Sequence, residues 1–198
     1  MPLPDTRLEM NVIEYINSLV TLAPDVAKKI QHVFTNEEGA RKTFLYKEGQ
    51  TATRLYYIQT GLARMYYLND QGKEITYGFY TDGQFVTIPD SFFNQTPSRY
   101  YLELLETSSL SFITYSEFEL LANAFSEVKE IENHVLRYFL LRASERIVAL
   151  QFQTAEERYL TLFESQPSIF YRAPLGTIAS YLGITQETLS RIRSKKIV

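Results

Sequence analysis

From Arg41 to Tyr115 the chain breaks into short runs of β-favouring residues with glycines between them. The runs cover residues 43–46, 55–58, 62–68, 74–80, 84–86, 100–105 and 110–113, and Gly49, Gly61, Gly72 and Gly83 separate them. Short strands with a turn signal every eight to twelve residues or so predict a β-sandwich or jelly roll. Asn69-Asp70-Gln71-Gly72 carries the residues of a hairpin turn. On either side the pattern is helical. Val12, Ile13, Ile16, Leu19 and Val20, then Val26, Ile30 and Val33, predict two N-terminal helices over residues 10–22 and 25–34, with Pro24 in the first turn of the second. The fold class is therefore α+β: a jelly-roll β-roll flanked by helices.

A second motif lies near the C-terminus. Leu175, Ile178, Ala179 and Leu182 follow the i, i+3, i+4, i+7 rule, Gly183 supplies a sharp turn, and Leu189 and Ile192 give a following helix its own buried face. Ala179 is small where two helices would cross, and Thr185 is placed to cap a helix starting at Gln186. This spacing predicts a helix-turn-helix, a unit that implies DNA. An ordinary helical hairpin with a solvated polar face is the alternative. Gln186, Glu187, Ser190, Arg191, Ser194 and Lys195 fall on the outer face, where such side chains reach base edges or phosphates. Arg191 is the choice for a bidentate guanine contact, Glu187 for accepting from a cytosine amino group and Gln186 for an adenine or a phosphate, with Thr188, Arg193, Lys195 and Lys196 on phosphates. The net charge of −3 is unevenly spread, because residues 172–198 hold five basic residues and one acid. That basic excess sits where a DNA contact needs it.

Composition narrows the remaining classes. The 198 residues, 45% hydrophobic and 14% aromatic, suffice for one large packed domain or two small ones. There are no cysteines, which excludes disulfides, iron–sulfur clusters and thiolate chemistry. His32 and His134 lack metal-ligand spacing, so no metal and no cofactor are expected. A jelly-roll enzyme of the cupin kind needs a His/carboxylate cluster on its strands, and no histidine lies between Gly39 and Tyr115, so the expectation is a non-enzyme. Without an apolar run of eighteen residues or a basic-then-apolar start, a cytoplasmic protein with no membrane partner is expected.

Lys47-Glu48-Gly49-Gln50-Thr51-Ala52, Leu55-Tyr56-Tyr57-Ile58-Gln59-Thr60-Gly61, Asp70-Gln71-Gly72-Lys73-Glu74 and Asp82-Gly83-Gln84-Phe85 resemble, in order and spacing, the successive motifs of the cyclic-nucleotide-binding-type β-roll of Crp/Fnr family transcription regulators. Gln186-Glu187-Thr188-Leu189-Ser190-Arg191-Ile192 resembles that family's recognition helix, so the similarity spans about residues 12 to 196. The resemblance implies a sensor roll with N-terminal helices over residues 1–123, a long dimerisation helix and linker over 124–152, and a helix-turn-helix domain over 153–198. Its implied partners are a second copy of the chain, double-stranded DNA with a pseudo-palindromic operator, RNA polymerase, and an unidentified small-molecule effector.

Within the long helical segment, Val128, Ile131, Val135, Tyr138 or Phe139, Arg142, Arg146 and Ala149 form a near-heptad seam interrupted by two arginines. By itself the seam reads either as a core helix packed on the roll or as a dimer interface; the resemblance implies the latter. Thr154 is placed to cap the next helix, with acids in its first turn. Residues 164–174 leave little room for the β-hairpin that many members carry there.

The effector region departs from the cyclic-AMP-responsive members. Their Gly-Glu-Leu, whose glutamate binds the ribose, has Thr87-Ile88-Pro89 as its counterpart here, and Tyr100 follows Arg99 where a small hydroxyl residue follows the phosphate-binding arginine. Thr87, Ile88, Arg99 and Tyr100 are thus the candidate pocket residues, with cyclic AMP not expected as the ligand. The many tyrosines of the roll either line a site for an aromatic effector or fill it. Two readings follow: a homodimeric DNA-binding regulator of the Crp/Fnr type, or a ligand-sensing or protein-interaction module with a vestigial helix-turn-helix.

Overall fold

The computed structural model describes residues 10–195. The chain opens with α1 (Val12–Leu19) and α2 (Pro24–Val33). Asn11 caps α1 in a capping box with Glu14, and Pro24 occupies the first turn of α2. Six strands follow: β1 (Thr35–Gly39), β2 (Phe44–Tyr46), β3 (Arg54–Thr60), β4 (Leu62–Leu68), β5 (Glu74–Thr81) and β6 (Gln84–Val86). After a short helix α3 (Pro89–Asn94), β7 (Tyr101–Leu104) and β8 (Ser108–Thr114) complete two four-stranded antiparallel sheets, ordered β1-β8-β3-β6 and β2-β7-β4-β5. Buried side chains of the two sheets, among them Tyr57, Ile58, Met65, Leu102, Leu104 and Leu110, belong to the main core.

Two turns depend on local chemistry. The chain passes from one sheet to the other at Gly61, whose φ of 137° and closeness to Ser108 leave no room for a side chain. Asn69 closes the β4–β5 hairpin, its Oδ1 accepting from the N–H groups of Gln71 and Lys73.

The rest is helical: α4 (Tyr115–Ala124), α5 (Ser126–Phe152), α6 (Ala155–Ser165), α7 (Ile169–Arg172), α8 (Leu175–Leu182) and α9 (Gln186–Lys195). Thr114 and Thr154 cap α4 and α6 in capping boxes with Glu117 and Glu157. No described helix is long and apolar enough to cross a membrane. Residues 169–172, where the sequence leaves little room for a hairpin, form the single helical turn α7.

The structure departs from the sequence reading in three places. Strand β1, Thr-Asn-Glu-Glu-Gly, has no hydrophobic alternation; as an edge strand it is held by its ladder with β8. Helix α3 lies in a stretch too short to show a helical period. The third concerns the seam of α5. Val128, Ile131, Val135 and Phe139 are buried in the core of the same chain, and Arg142 and Arg146 donate to the carbonyls of Phe79 and Tyr181. The seam is the face that packs within the chain. A different stripe, Leu136, Leu140, Ala143, Ile147 and Leu150, follows 4-3-4-3 spacing, and its four large residues are exposed, Leu140 by 69%.

Candidate functional site

Helices α8 and α9 meet at Gly183, which ends α8 in the left-handed conformation at φ 67°. The N–H groups of Gly183 and Ile184 donate to the carbonyl of Ala179, satisfying groups the helix end would otherwise leave open. Ala179 and Leu182 pack with Leu189, Ile178, Tyr159 and Leu162 in a second core. Thr185 then caps α9: its hydroxyl oxygen accepts from the Thr188 N–H at 3.3 Å.

This geometry presents a polar face. Gln186, Glu187, Ser190, Arg191 and Ser194 are exposed, Thr188 and Arg193 are half-buried, and Leu189 is fully buried beneath them. Arg191 donates to the Thr188 hydroxyl at 3.2 Å, one turn back along the helix. Hydrogen bonds from its own backbone N–H and from the Thr185 side chain, then the Arg191 charge, hold the Glu187 carboxyl below the usual range. It is an ionised acceptor at neutral pH. The side chain of Lys195 and all of Lys196 lie outside the described residues. Gln186 lies over Gly176 and lines a cleft between α8 and the β4–β5 hairpin, beside Arg64, Lys73 and Glu74.

The helix-turn-helix is docked on the roll. Strand β5 is the edge of its sheet, and the Ser180 hydroxyl of α8 bonds to that edge, accepting from the Thr76 N–H at 2.9 Å and donating to the Glu74 carbonyl at 3.0 Å. Leu62, Phe79 and Leu105 of the roll belong to the second core with Ile178 and Leu182. Arg172 spans the junction, bonded to Asp82 and Glu106, each at 2.6 Å. Counting Arg172 with the C-terminal basic charge is therefore a misreading, since its charge is spent on carboxylates of the roll.

In the roll, a cavity of about 260 Å³ is lined by Met65, Tyr77, Tyr80, Ile88, Pro89, Asp90, Tyr100, Phe139, Arg142 and Ala143. Of the four candidate effector residues, Ile88 and Tyr100 reach it. Thr87 is buried and donates to the Arg54 carbonyl at 2.9 Å, while Arg99 is exposed outside the lining. The cation lining this cavity is Arg142, on α5, and Asp90 lines it as well. Burial holds Tyr80 and Tyr100 above the ordinary tyrosine range, so both hydroxyls are neutral.

Residues 37–125 match the cyclic nucleotide-binding domain family. No curated protein sequence matches the chain significantly. Among solved structures, FixK2 from Bradyrhizobium japonicum superposes with a TM-score of 0.72 at 24% identity, covering 82% of this chain and 84% of that one. A crp/fnr-family transcriptional regulator from Eubacterium rectale gives 0.70 at 19% identity, covering 89% of this chain and 84% of that one. The chain has the Crp/Fnr regulator fold. A third structure, CLP of Xanthomonas campestris, gives 0.66 at 20% identity, covering 87% of this chain and 91% of that one. Within the Crp/Fnr fold, the features the sequence did not reveal are the docking of α8 on β5 and the arginines at the junction. Arg142 and Arg146 were visible only as interruptions of a seam, and nothing near Arg158 or Arg172 announces their partners.

Proposed function

We propose that this chain is a homodimeric, sequence-specific DNA-binding transcription regulator of the Crp/Fnr type that does not respond to cyclic AMP. The observation that carries the reading is α9: a capped helix, anchored by Leu189, with Gln186, Glu187, Ser190 and Arg191 exposed on one face. Such a helix fits the major groove. Two-fold symmetry would place two half-sites about 34 Å apart, one turn of DNA. The second copy is assigned to the exposed stripe Leu136, Leu140, Ile147 and Leu150 on α5, because unpaired apolar heptads of this kind are buried by a partner helix.

Selection from random duplexes tests the DNA reading, with enrichment of a palindrome expected. Arg191→Ala should lower discrimination between operator and random DNA by about 1–3 kcal/mol, whereas Arg193→Ala should weaken both alike. Equal loss on both duplexes for Arg191→Ala would sink its role at a base. Absence of any sequence preference at low salt would favour the protein-interaction reading, for which the docking of α8 on the roll is the supporting feature. The cyclic AMP statement rests on the roll cavity, where Asp90 faces the site and Arg99 does not. Cyclic AMP is expected to leave operator affinity unchanged. RNA polymerase contact is proposed from the family resemblance alone.

A further inference from the structure

A separate cleft of about 500 Å³ lies where the roll, α5, α6 and α8 meet. Three guanidinium groups line it, Arg142 and Arg146, one turn apart on α5, and Arg158 on α6, together with one acidic residue, the exposed Glu145. Among the described residues none of the three has a carboxylate within ion-pair distance, in contrast to Arg54, Arg64 and Arg172. They bond to neutral acceptors instead. Arg142 donates to the Phe79 carbonyl and the Tyr138 hydroxyl, both at 2.8 Å, and to Gln84 at 3.3 Å. Arg146 donates to the Tyr181 carbonyl at 2.6 Å, and Arg158 to the carbonyls of Leu182 at 2.9 Å and Gln153 at 2.5 Å. These bonds fix the groups in place without neutralising them. Each guanidinium has five N–H donors, so Arg146 and Arg158 keep several for another acceptor.

The crowding of charge is felt. Burial, and with it the Arg158 charge, pulls Arg146 below the usual guanidinium range, against the opposing influence of Tyr181. Like charges gathered in a poorly solvated cleft are relieved by an anion, and guanidinium pairs bind phosphate oxygens in a fixed fork. A second observation is independent of charge. Gln153 and Gln166 also line the cleft, and the side-chain carbonyl oxygen of each is buried with no hydrogen-bond partner among the described residues. Buried acceptors of this kind call for donors. Tyr80 and Tyr181 add ring faces, with the Arg146 guanidinium 4.1 Å from the Tyr181 centroid.

We propose that this junction binds a nucleotide-sized organic phosphate, its phosphate between Arg146 and Arg158 and its donor-bearing ring toward Gln153 and Gln166. The volume is that of a small-molecule site. Tyr77, Tyr80 and Arg142 line both this cleft and the roll cavity, so the two adjoin. A ligand here touches α5, α6 and α8 together and would fix the helix-turn-helix against the roll. That consequence rests on the DNA-binding reading; the binding itself does not.

The test is calorimetric titration of the full chain with the four common nucleoside 5′-monophosphates, their parent nucleosides and inorganic pyrophosphate. At least one monophosphate should bind more tightly than about 1 mM, with its nucleoside at least tenfold weaker. Arg146→Gln and Arg158→Gln should each weaken it at least tenfold, while Arg41→Gln, an exposed arginine outside the cleft, should not. Should either variant fail to fold by circular dichroism, Gln166→Glu sets a carboxylate on the same wall and should weaken binding comparably. Failure of every monophosphate and of pyrophosphate to bind would overturn the proposal. So would a nucleoside that binds as well as its phosphate, or full affinity in the arginine and Gln166 variants. Pyrophosphate binding without any monophosphate would remove the ring from the proposal and overturn it as stated. A protein that binds the phosphate but selects no DNA sequence would retain this site and lose the regulator reading.

Discussion

Arg172 and Thr76 lie at the same junction and pull in opposite directions. The Arg172 guanidinium, mostly shielded from solvent, joins Asp82 and Glu106, and its ionised form is held more strongly than usual by those two acids despite burial. Removing it leaves two carboxylates facing an emptied site. Arg172→Ala should therefore cost roughly 2 kcal/mol, below the value for a fully buried pair because part of the cluster is wet. Urea denaturation checks the loss, and hydrogen exchange should locate it at α8. Thr76 is fully buried beneath α8 and its Oγ1 has no partner among the described residues. A buried hydroxyl left unbonded costs about 1–3 kcal/mol, so the isosteric Thr76→Val is expected to raise the urea midpoint by a comparable stability increment. A lowered midpoint would show that the hydroxyl is bonded in solution.

Helix α5 has two apolar faces, and only one of them is covered within the chain. One face, Val128, Ile131, Val135 and Phe139, is satisfied by the roll; the other, through Leu140 and Ile147, is bare in a single chain. Charging the bare stripe should separate copies without unfolding either. Leu140→Asp is expected to convert a dimer into a monomer in light scattering, with far-ultraviolet circular dichroism unchanged and operator affinity reduced at least a hundredfold. The same change at Val135 should unfold the chain, because that residue is 2% exposed within the core. Helix α8 likewise has two roles. It is the first helix of the helix-turn-helix, and it covers the free edge of β5, so any motion of α8 away from the roll exposes unpaired backbone groups.

The molecule as a whole is built on tyrosine: fifteen of its 198 residues, many in the roll. Burial, followed by the neighbouring Glu103 and Glu74 charges, pushes Tyr66 up to about 12, and burial raises Tyr46 and Tyr80 further. An acid whose folded pKa lies above its unfolded value of 10 gives stability that is intact below pH 10 and declines as pH rises toward the folded value. Absorbance titration should therefore show exposed tyrosines ionising near pH 10 and a buried set appearing only with cooperative unfolding at higher pH. Smooth titration of all fifteen near pH 10 would contradict the packed aromatic core.

Strands β2 to β8, the hairpin, the Thr154 and Thr185 caps and the Gly183 turn were legible because each is set by neighbours a few residues away, through side-chain period, glycine at positive φ and threonine caps. Even the polar outer face of α9 follows from where Leu189 and Ile192 must point. What the sequence could not decide was which partner each apolar or charged face meets. The sequence reading singled out the seam from Val128 to Phe139 and left it between core and dimer; only the position of the roll made it a core face and left the neighbouring stripe from Leu136 to Leu150 bare. Arg172 reads as one more C-terminal cation until Asp82 and Glu106, distant in sequence, are folded against it. Ion pairing and burial depend on distance in space, and a linear sequence carries that distance only for near neighbours.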